Sequence, residues 1–336
     1  MRKCFSLLLC VLAVYSPVFL VSANSDNKKD VEIVVPKSYK PPVIETPSPL
    51  QTLLNTSIRT VLNSFPSGSF KTDDIAATLI DVRDPEHLQM ATFRGDERVY
   101  PASVIKLFYL AAIERQLEDG KVTMTPELER GLRDMIVVSS NEATQYILDV
   151  ITDTSSGAEL PQAEFAKWQY KRNRVNRFFA AMGYANINVN QKTFCEDAYG
   201  IEQQSRNYKG ENRNMLTTNA VARLLTEIVL GRMNTPERTK VMMDLLRRDP
   251  FSASTDPDDQ GHGFTGRLLI ERKMTDAKLW SKAGWTSTAR HDAAYIETAD
   301  GLKFVLVIFT ENHANDTATI PAIAGKVIDG LRKSAM

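Results

Sequence analysis

Apolar and polar positions divide the chain into three regimes. Phe5 to Val21 is an apolar run behind the basic pair Arg2 and Lys3. Asn24 to Gln51 is polar and charged, with Pro36, Pro41, Pro42, Pro47 and Pro49 spread through it. After that, helical and strand periodicities fill the remainder. Ser48-Pro49 opens LQTLLNTSIRTVLNSF, whose spacing predicts a helix with a serine cap and a first-turn proline, ending before Pro66-Ser67-Gly68. Ile75 to Val82 and Met90 to Phe93 predict a short hairpin, with Asp84-Pro85 as its turn and Arg94-Gly95-Asp96 beyond it. In YPASVIKLFYLAA, Pro101 and Ser103 start a helix through Leu117, and Gly120 follows its end.

Five helical segments come next: 125–138, 142–151, 164–182, 217–232 and 236–248. Met182-Gly183 and Asp249-Pro250 are stops. Residues 183–216 are polar and poorly periodic, and a loop of that length inside a compact domain is often functional. Strands return at Leu279–Ala283, Asp292–Glu297 and Phe304–Thr310, and a last helix is expected over 319–333. Strands at both ends with helices between them predict an α+β fold: one antiparallel sheet built from both chain ends, with an all-helical lobe inserted.

The N-terminal run changes the picture of where the chain works. A basic start, an apolar core and Val21-Ser22-Ala23 fit an export signal cleaved after Ala23. A retained membrane anchor is the competing reading, but the run is short for a span and contains Pro17. The expected organisation is therefore signal peptide 1–23, Pro-rich polar linker 24–50 and one catalytic-sized domain 51–336, with export to periplasm or medium. The chain has 41 basic and 41 acidic residues, and cleavage removes only Arg2 and Lys3 from these. The near-neutral remainder gives no electrostatic reason to bind nucleic acid or an anionic membrane. Cys4 and Cys10 lie in the signal, so Cys195 has no intramolecular partner for a disulfide. The four histidines, His87, His262, His291 and His313, are scattered without metal-ligand spacing, so neither a metal nor another cofactor is expected.

Candidate chemistry lies in three short motifs. Ser103 and Lys106 stand three apart at a helix start and share a face. A serine hydroxyl needs a base, and a lysine becomes one when burial or positive neighbours lower its pKa. Ser25-x-x-Lys28 matches the same pattern but lies in the linker. VSSNEATQYIL places Ser139-x-Asn141 at a helix head, and LWSKAGWTS places Lys282-x-Gly284 at a strand end. Ser22-x-Asn24, Ser25-Asp26-Asn27 and Ser205-x-Asn207 are excluded by order and context. The retained set, in that order, resembles the serine β-lactamase and penicillin-recognising family, with its S-x-x-K, S-x-N and K-T-G or K-S-G motifs. The resemblance runs from about residue 50 to 334. GENRNMLTTNAVARLL is similar to the end of the class A Ω-loop and the helix after it.

The resemblance implies a β-lactamase/transpeptidase-like fold and a set of roles. Ser103 would attack a carbonyl and Lys106 would accept its proton. Ser139 would relay a proton to the leaving nitrogen. Asn141 and Lys282 would contact substrate, with Gly284 in the third motif. Backbone N–H groups of Ser103 and Trp285 would form an oxyanion hole, and Arg290 or His291 would bind a substrate carboxylate. Two departures stand out. Ala283 replaces the usual hydroxyl residue, and the E-x-x-L-N deacylation motif is absent. Position alone nominates Glu202 as the deacylating base, with Glu196 next. The implied ligand is a small β-lactam or a peptidoglycan peptide, met by a monomer that is not inserted in a membrane. Three functions stay open: an exported hydrolase opening β-lactams through a Ser103 acyl-enzyme, a D-Ala-D-Ala peptidase or slowly deacylating penicillin-binding protein, and a non-catalytic envelope binding protein.

Overall fold

The computed structural model describes residues 32–66 and 69–334. The expected signal over 1–23 and residues 24–31 of the expected linker lie outside them. Residues 32–47 run along the domain: Ile33 is buried, and Tyr39 donates a 2.9 Å hydrogen bond to Glu227. The short strand β1 (Ile44–Glu45) precedes helix α1 (Ser48–Leu62). Ser48 is the first helical residue rather than a side-chain cap, and Pro49 occupies the first turn, where a missing N–H breaks no bond. Strands β2 (Ile75–Asp81) and β3 (Leu88–Phe93) form the hairpin that the pattern predicts. A 3₁₀ turn, Ala102–Ile105, then leads into α2 (Lys106–Glu118).

The helical lobe begins with α2, which is buried from Lys106 to Leu117. An apolar run without a polar face is what a central helix requires. Around it lie α3 (Pro126–Ile136), capped by the Thr125 hydroxyl, and α4 (Asn141–Thr152), capped by Ser140. The single helix expected over 164–182 is two, α5 (Gln162–Arg172) and α6 (Arg174–Ala181). They break at Asn173, whose side-chain oxygen accepts from Asn176 and Asn190. Short polar side chains compete with helical hydrogen bonds in this way. The long polar stretch holds one short helix, α7 (Ile201–Arg206). Helix α8 (Thr218–Val229) follows, then α9 (Pro236–Leu246), which ends before its expected limit because Arg247–Arg248 turn into strand β4.

After a loop and helix α10 (Thr265–Glu271), the chain forms β5 (Lys278–Trp285), β6 (Ala289–Glu297), β7 (Lys303–Glu311) and α11 (Thr319–Ser334). The sheet order is β1–β3–β2–β7–β6–β5–β4, antiparallel except for β1 against β3. Pairing of β2 with β7, from Ile75↔Thr310 to Asp81↔Phe304, joins the two chain ends in one sheet. Along β7, Phe304, Leu306 and Ile308 face the core under α1, α10 and α11, while Val305, Val307 and Phe309 face the helical lobe. Burial on both faces explains why this strand reads as a continuous apolar run.

Candidate active site

The site is built where the 3₁₀ turn meets the end of β5. Residues three apart eclipse each other in a 3₁₀ turn, so Ser103 and Lys106 stand on one side. Ala102, just before Ser103, has a left-handed φ of 46°. A β-carbon makes this conformation unfavourable, and such residues persist only where their surroundings hold them. Part of that hold comes from His291. Its Nδ1 accepts from Thr310 N at 3.1 Å, so Nε2 carries the proton and donates to Tyr100 O at 3.0 Å. Burial pushes the His291 pKa down to about 4. Gly284 completes the hold. A Cβ there would lie 2.8 Å from Pro101 O and 3.0 Å from Ser103 N.

Lys106, Ser139, Asn141 and Lys282 converge beside this turn. Lys106 Nζ donates to Ser139 O at 2.5 Å, Asn141 Oδ1 at 3.0 Å and Ser139 Oγ at 3.1 Å. Lys282 Nζ donates to the same Ser139 Oγ at 2.9 Å. Ser139 itself has φ of 61°, a second left-handed residue in the site. Ser140, one residue on, caps α4 by accepting from Ala143 N at 3.1 Å. Cap and turn together aim Ser139 Oγ between the two lysines. No hydrogen bond among the described residues engages Ser103 Oγ, and apo sites often tighten such contacts only with substrate.

Neither lysine forms an ion pair among the described residues, and both are buried. Burial lowers the Lys106 pKa to about 7, opposed by the charges of Glu142 and Cys195. Burial drives Lys282 well below its ordinary value, helped by the positive charges of Lys106 and Arg248 and opposed by Asp292. Desolvation penalises the charged form, so a neutral amine is accessible near neutral pH. A neutral Lys106 can accept a proton, and Ser139 can pass one along.

Sequence reasoning missed Gln260. Its Oε1 accepts from Lys282 Nζ at 2.7 Å and Ala283 N at 3.1 Å, and its Nε2 donates to Val137 O at 2.8 Å and Ile136 O at 3.1 Å. One side chain therefore ties the end of α3 to β5 behind Ser139. Ala283 N points to the free edge of β5, and Trp285 N, two residues on, points to the same edge. Cys195 is the other missed neighbour: Asn141 Nδ2 lies 3.5 Å from its exposed Sγ. Neither residue carries a sequence signal beyond its type.

The remaining nominees lie elsewhere. Glu202 is buried on α7 and its carboxylate is fully engaged. Arg172 donates at 2.8 and 2.9 Å, Ser156 at 2.8 Å, and Lys192 Nζ lies 3.3 Å away. Glu196 is exposed and lines a cavity of about 80 Å³ with Tyr100, Lys192 and Arg213. Arg290 is buried against Asp258 Oδ1 (2.7 Å), Gly263 O (2.7 Å) and the Phe264 ring. His291, as described, spends both ring nitrogens on backbone. The structure thus brings Ser103, Lys106, Ser139, Asn141, Lys282 and Gly284 together, and leaves Glu202, Arg290 and His291 in structural contacts.

A sheet made from both chain ends, with a helical lobe meeting it at this cluster, defines the β-lactamase/transpeptidase class of fold. The chain belongs to the beta-lactamase enzyme family, whose model matches residues 124–331, more than half of its length. The matched span contains Ser139 and Lys282 and begins after Ser103 and Lys106. In structure the chain is similar to a beta-lactamase from Sphaerobacter thermophilus, at 17% identity and TM-score 0.57, covering 84% of this chain and 97% of that one. It is similar to PBP-A, at 17% identity and TM-score 0.57, over 88% of this chain and 100% of that one. It is also similar to the TLA-1 extended-spectrum beta-lactamase, at 12% identity and TM-score 0.60, over 83% and 99%. No curated protein matches the sequence. The protein is a β-lactamase-like hydrolase.

Proposed function

We propose that the protein is an exported serine hydrolase that opens β-lactam amides through an acyl-enzyme on Ser103. The observation that carries the reading is Ser139 Oγ held between Lys106 Nζ and Lys282 Nζ, with Lys106 one 3₁₀ turn after Ser103. Neutral Lys106 takes the Ser103 proton as Oγ forms its bond to the carbonyl carbon. The developing oxyanion is met by the N–H groups of Ser103 and Trp285. Collapse breaks the C–N bond, and the leaving nitrogen receives the proton from Lys106 by way of Ser139. Water later cleaves the ester. Export rests on the N-terminal sequence alone, and the protein works as a monomer in the periplasm or medium.

A specific observation favours slow release. Glu202 is locked in ion pairs, so the acyl-enzyme lacks the base that position nominated. The protein then behaves more like a penicillin-binding protein than a fast hydrolase. Incubation with a fluorescent penicillin, followed by intact-mass measurement over time, tests both statements. The reading expects a penicilloyl adduct that is absent in Ser103→Ala and decays slowly. Absence of any adduct on the wild-type chain would remove it.

A further inference from the structure

A groove of about 560 Å³, which shares no lining residue with the Ser103 cluster, runs between α5 and the end of the polar stretch. That volume is in the range of small-ligand sites. One wall is a helical face. Ala166, Gln169, Tyr170, Asn173 and Arg177 recur at helical spacing through α5 and the break into α6. The other wall is made by Asn188, Asn190, Tyr208, Lys209, Glu211 and Asn212. The amides are tied to one another. Asn190 Nδ2 donates to Asn173 Oδ1 and Asn212 Oδ1, each at 3.1 Å, and Asn188 Nδ2 donates to Asn212 Oδ1 at 2.8 Å.

This network fixes the amides and leaves hydrogens over. Asn173 accepts twice at Oδ1, but its Nδ2 meets no acceptor among the described residues. Gln169 is buried and accepts from Ser205 Oγ at 2.7 Å, while its Nε2 likewise donates to none of them. A carboxamide nitrogen has two hydrogens. Asn212 Nδ2 gives one to Ser205 O at 3.0 Å and keeps the other. Two tyrosine rings, Tyr170 and Tyr208, line the same groove and are exposed. Both are braced: the Arg177 guanidinium lies 3.8 Å from the Tyr170 ring centre, and Phe165 meets Tyr208 edge-on. Charge is balanced here. Arg177 is paired with Glu32, and Lys209 and Glu211 add one charge of each sign. The groove therefore has no net charge with which to select an ion.

We propose that this groove binds a neutral saccharide. A pyranose carries C–H groups on its faces and oxygens around its rim. A tyrosine ring can cover the face while fixed amide hydrogens meet the rim. The surplus of donors suits an acetamido sugar, whose carbonyl adds an acceptor. The site is separate from Ser103 and does not depend on the acyl-enzyme reading.

Titration calorimetry of the purified protein with the linear tetramer of N-acetylglucosamine tests this. Saturable heat with a Kd of about 1 mM or tighter is expected. Tyr170→Ala should weaken binding about tenfold, the effect of losing one stacked ring, and Tyr208→Ala by a similar factor. The second variant serves if the first does not fold. The dimer of the same sugar separates sources: weaker binding than the tetramer assigns the groove to a polymer chain, and equal binding assigns it to a free sugar. No saturable heat up to about 10 mM tetramer overturns the proposal. Unchanged affinity in the folded tyrosine variants places the sugar elsewhere and overturns it too. Tetragalacturonate, anionic on every ring, binding about tenfold more tightly than the neutral tetramer would overturn the choice of a neutral ligand.

Discussion

Gly284 on β5 and Ser103 on the 3₁₀ turn approach so closely that no side chain fits between them. The atoms that a Cβ on Gly284 would meet first, Pro101 O at 2.8 Å and Ser103 N at 3.0 Å, are backbone and cannot rotate away. Gly284→Ala must therefore push β5 off the turn. Overpacking of this kind costs ~1–3 kcal/mol. It also displaces the Ser103 N–H from the Trp285 N–H. We expect acylation by a fluorescent penicillin to slow by about a hundredfold, since small displacements of reacting groups have effects of that order. A variant that acylates at the wild-type rate would show that this contact does not set the geometry of attack.

Burial sets the pH range of the nucleophile. With Lys106 lowered to about 7, its ammonium form dominates below that pH and the amine above it. On the proposed mechanism only the amine accepts the Ser103 proton. The acylation rate should rise roughly tenfold per pH unit below 7 and level off above it. Lys106→Arg, protonated at every accessible pH, should form no adduct. A flat profile between pH 5 and 9 would assign the base elsewhere.

Glu202 separates position in sequence from position in space. Glu202→Gln keeps the shape but leaves Arg172 and Lys192 sharing Asp149 alone. Breaking a buried ion pair costs ~3–5 kcal/mol. Urea denaturation should show a loss of that order, while the lifetime of the Ser103 adduct in the folded variant stays unchanged. A longer lifetime at unaltered stability would restore Glu202 as the deacylating base.

These cases show which parts were legible. Ser103, Lys106, Ser139 and Lys282 could be nominated because the family resemblance carries those residue types in that order, and the strands could be read because β-rich runs are bounded by turns. The orientation of Glu202 depends on Arg172 and Lys192, which lie in other segments, so no local pattern reports it. Gln260 is a lone amide in a loop, and its role exists only once α3 and β5 face each other. The polar stretch 183–216 looked structureless because its order comes from side chains: Asn214 binds the backbone of Asn190 and Gln191 much as a paired strand would. The first turn of the Ser103 helix reads alike as 3₁₀ or α, because both place residues three apart on one side.

His291 makes the same turn sensitive to acid. Its pKa is held at about 4 in the folded chain by burial, against an ordinary value of 6.5. Below pH 6.5 the unfolded chain takes up a proton that the folded chain refuses. The neutral-imidazole contribution is therefore complete above 6.5, falls as pH drops through that window, and is gone below 4. The difference corresponds to on the order of 3 kcal/mol. Protonation would also give Nδ1 a hydrogen facing the Thr310 N–H, while Nε2 keeps its proton toward Tyr100 O. We expect chemical denaturation to show stability declining between pH 6.5 and 4. In His291→Gln, which does not titrate there, that part of the decline should disappear, together with about a tenfold loss of acylation at pH 7.5 from a loosened Ser103 turn. Parallel stability curves for the two chains would place the acid sensitivity in another group.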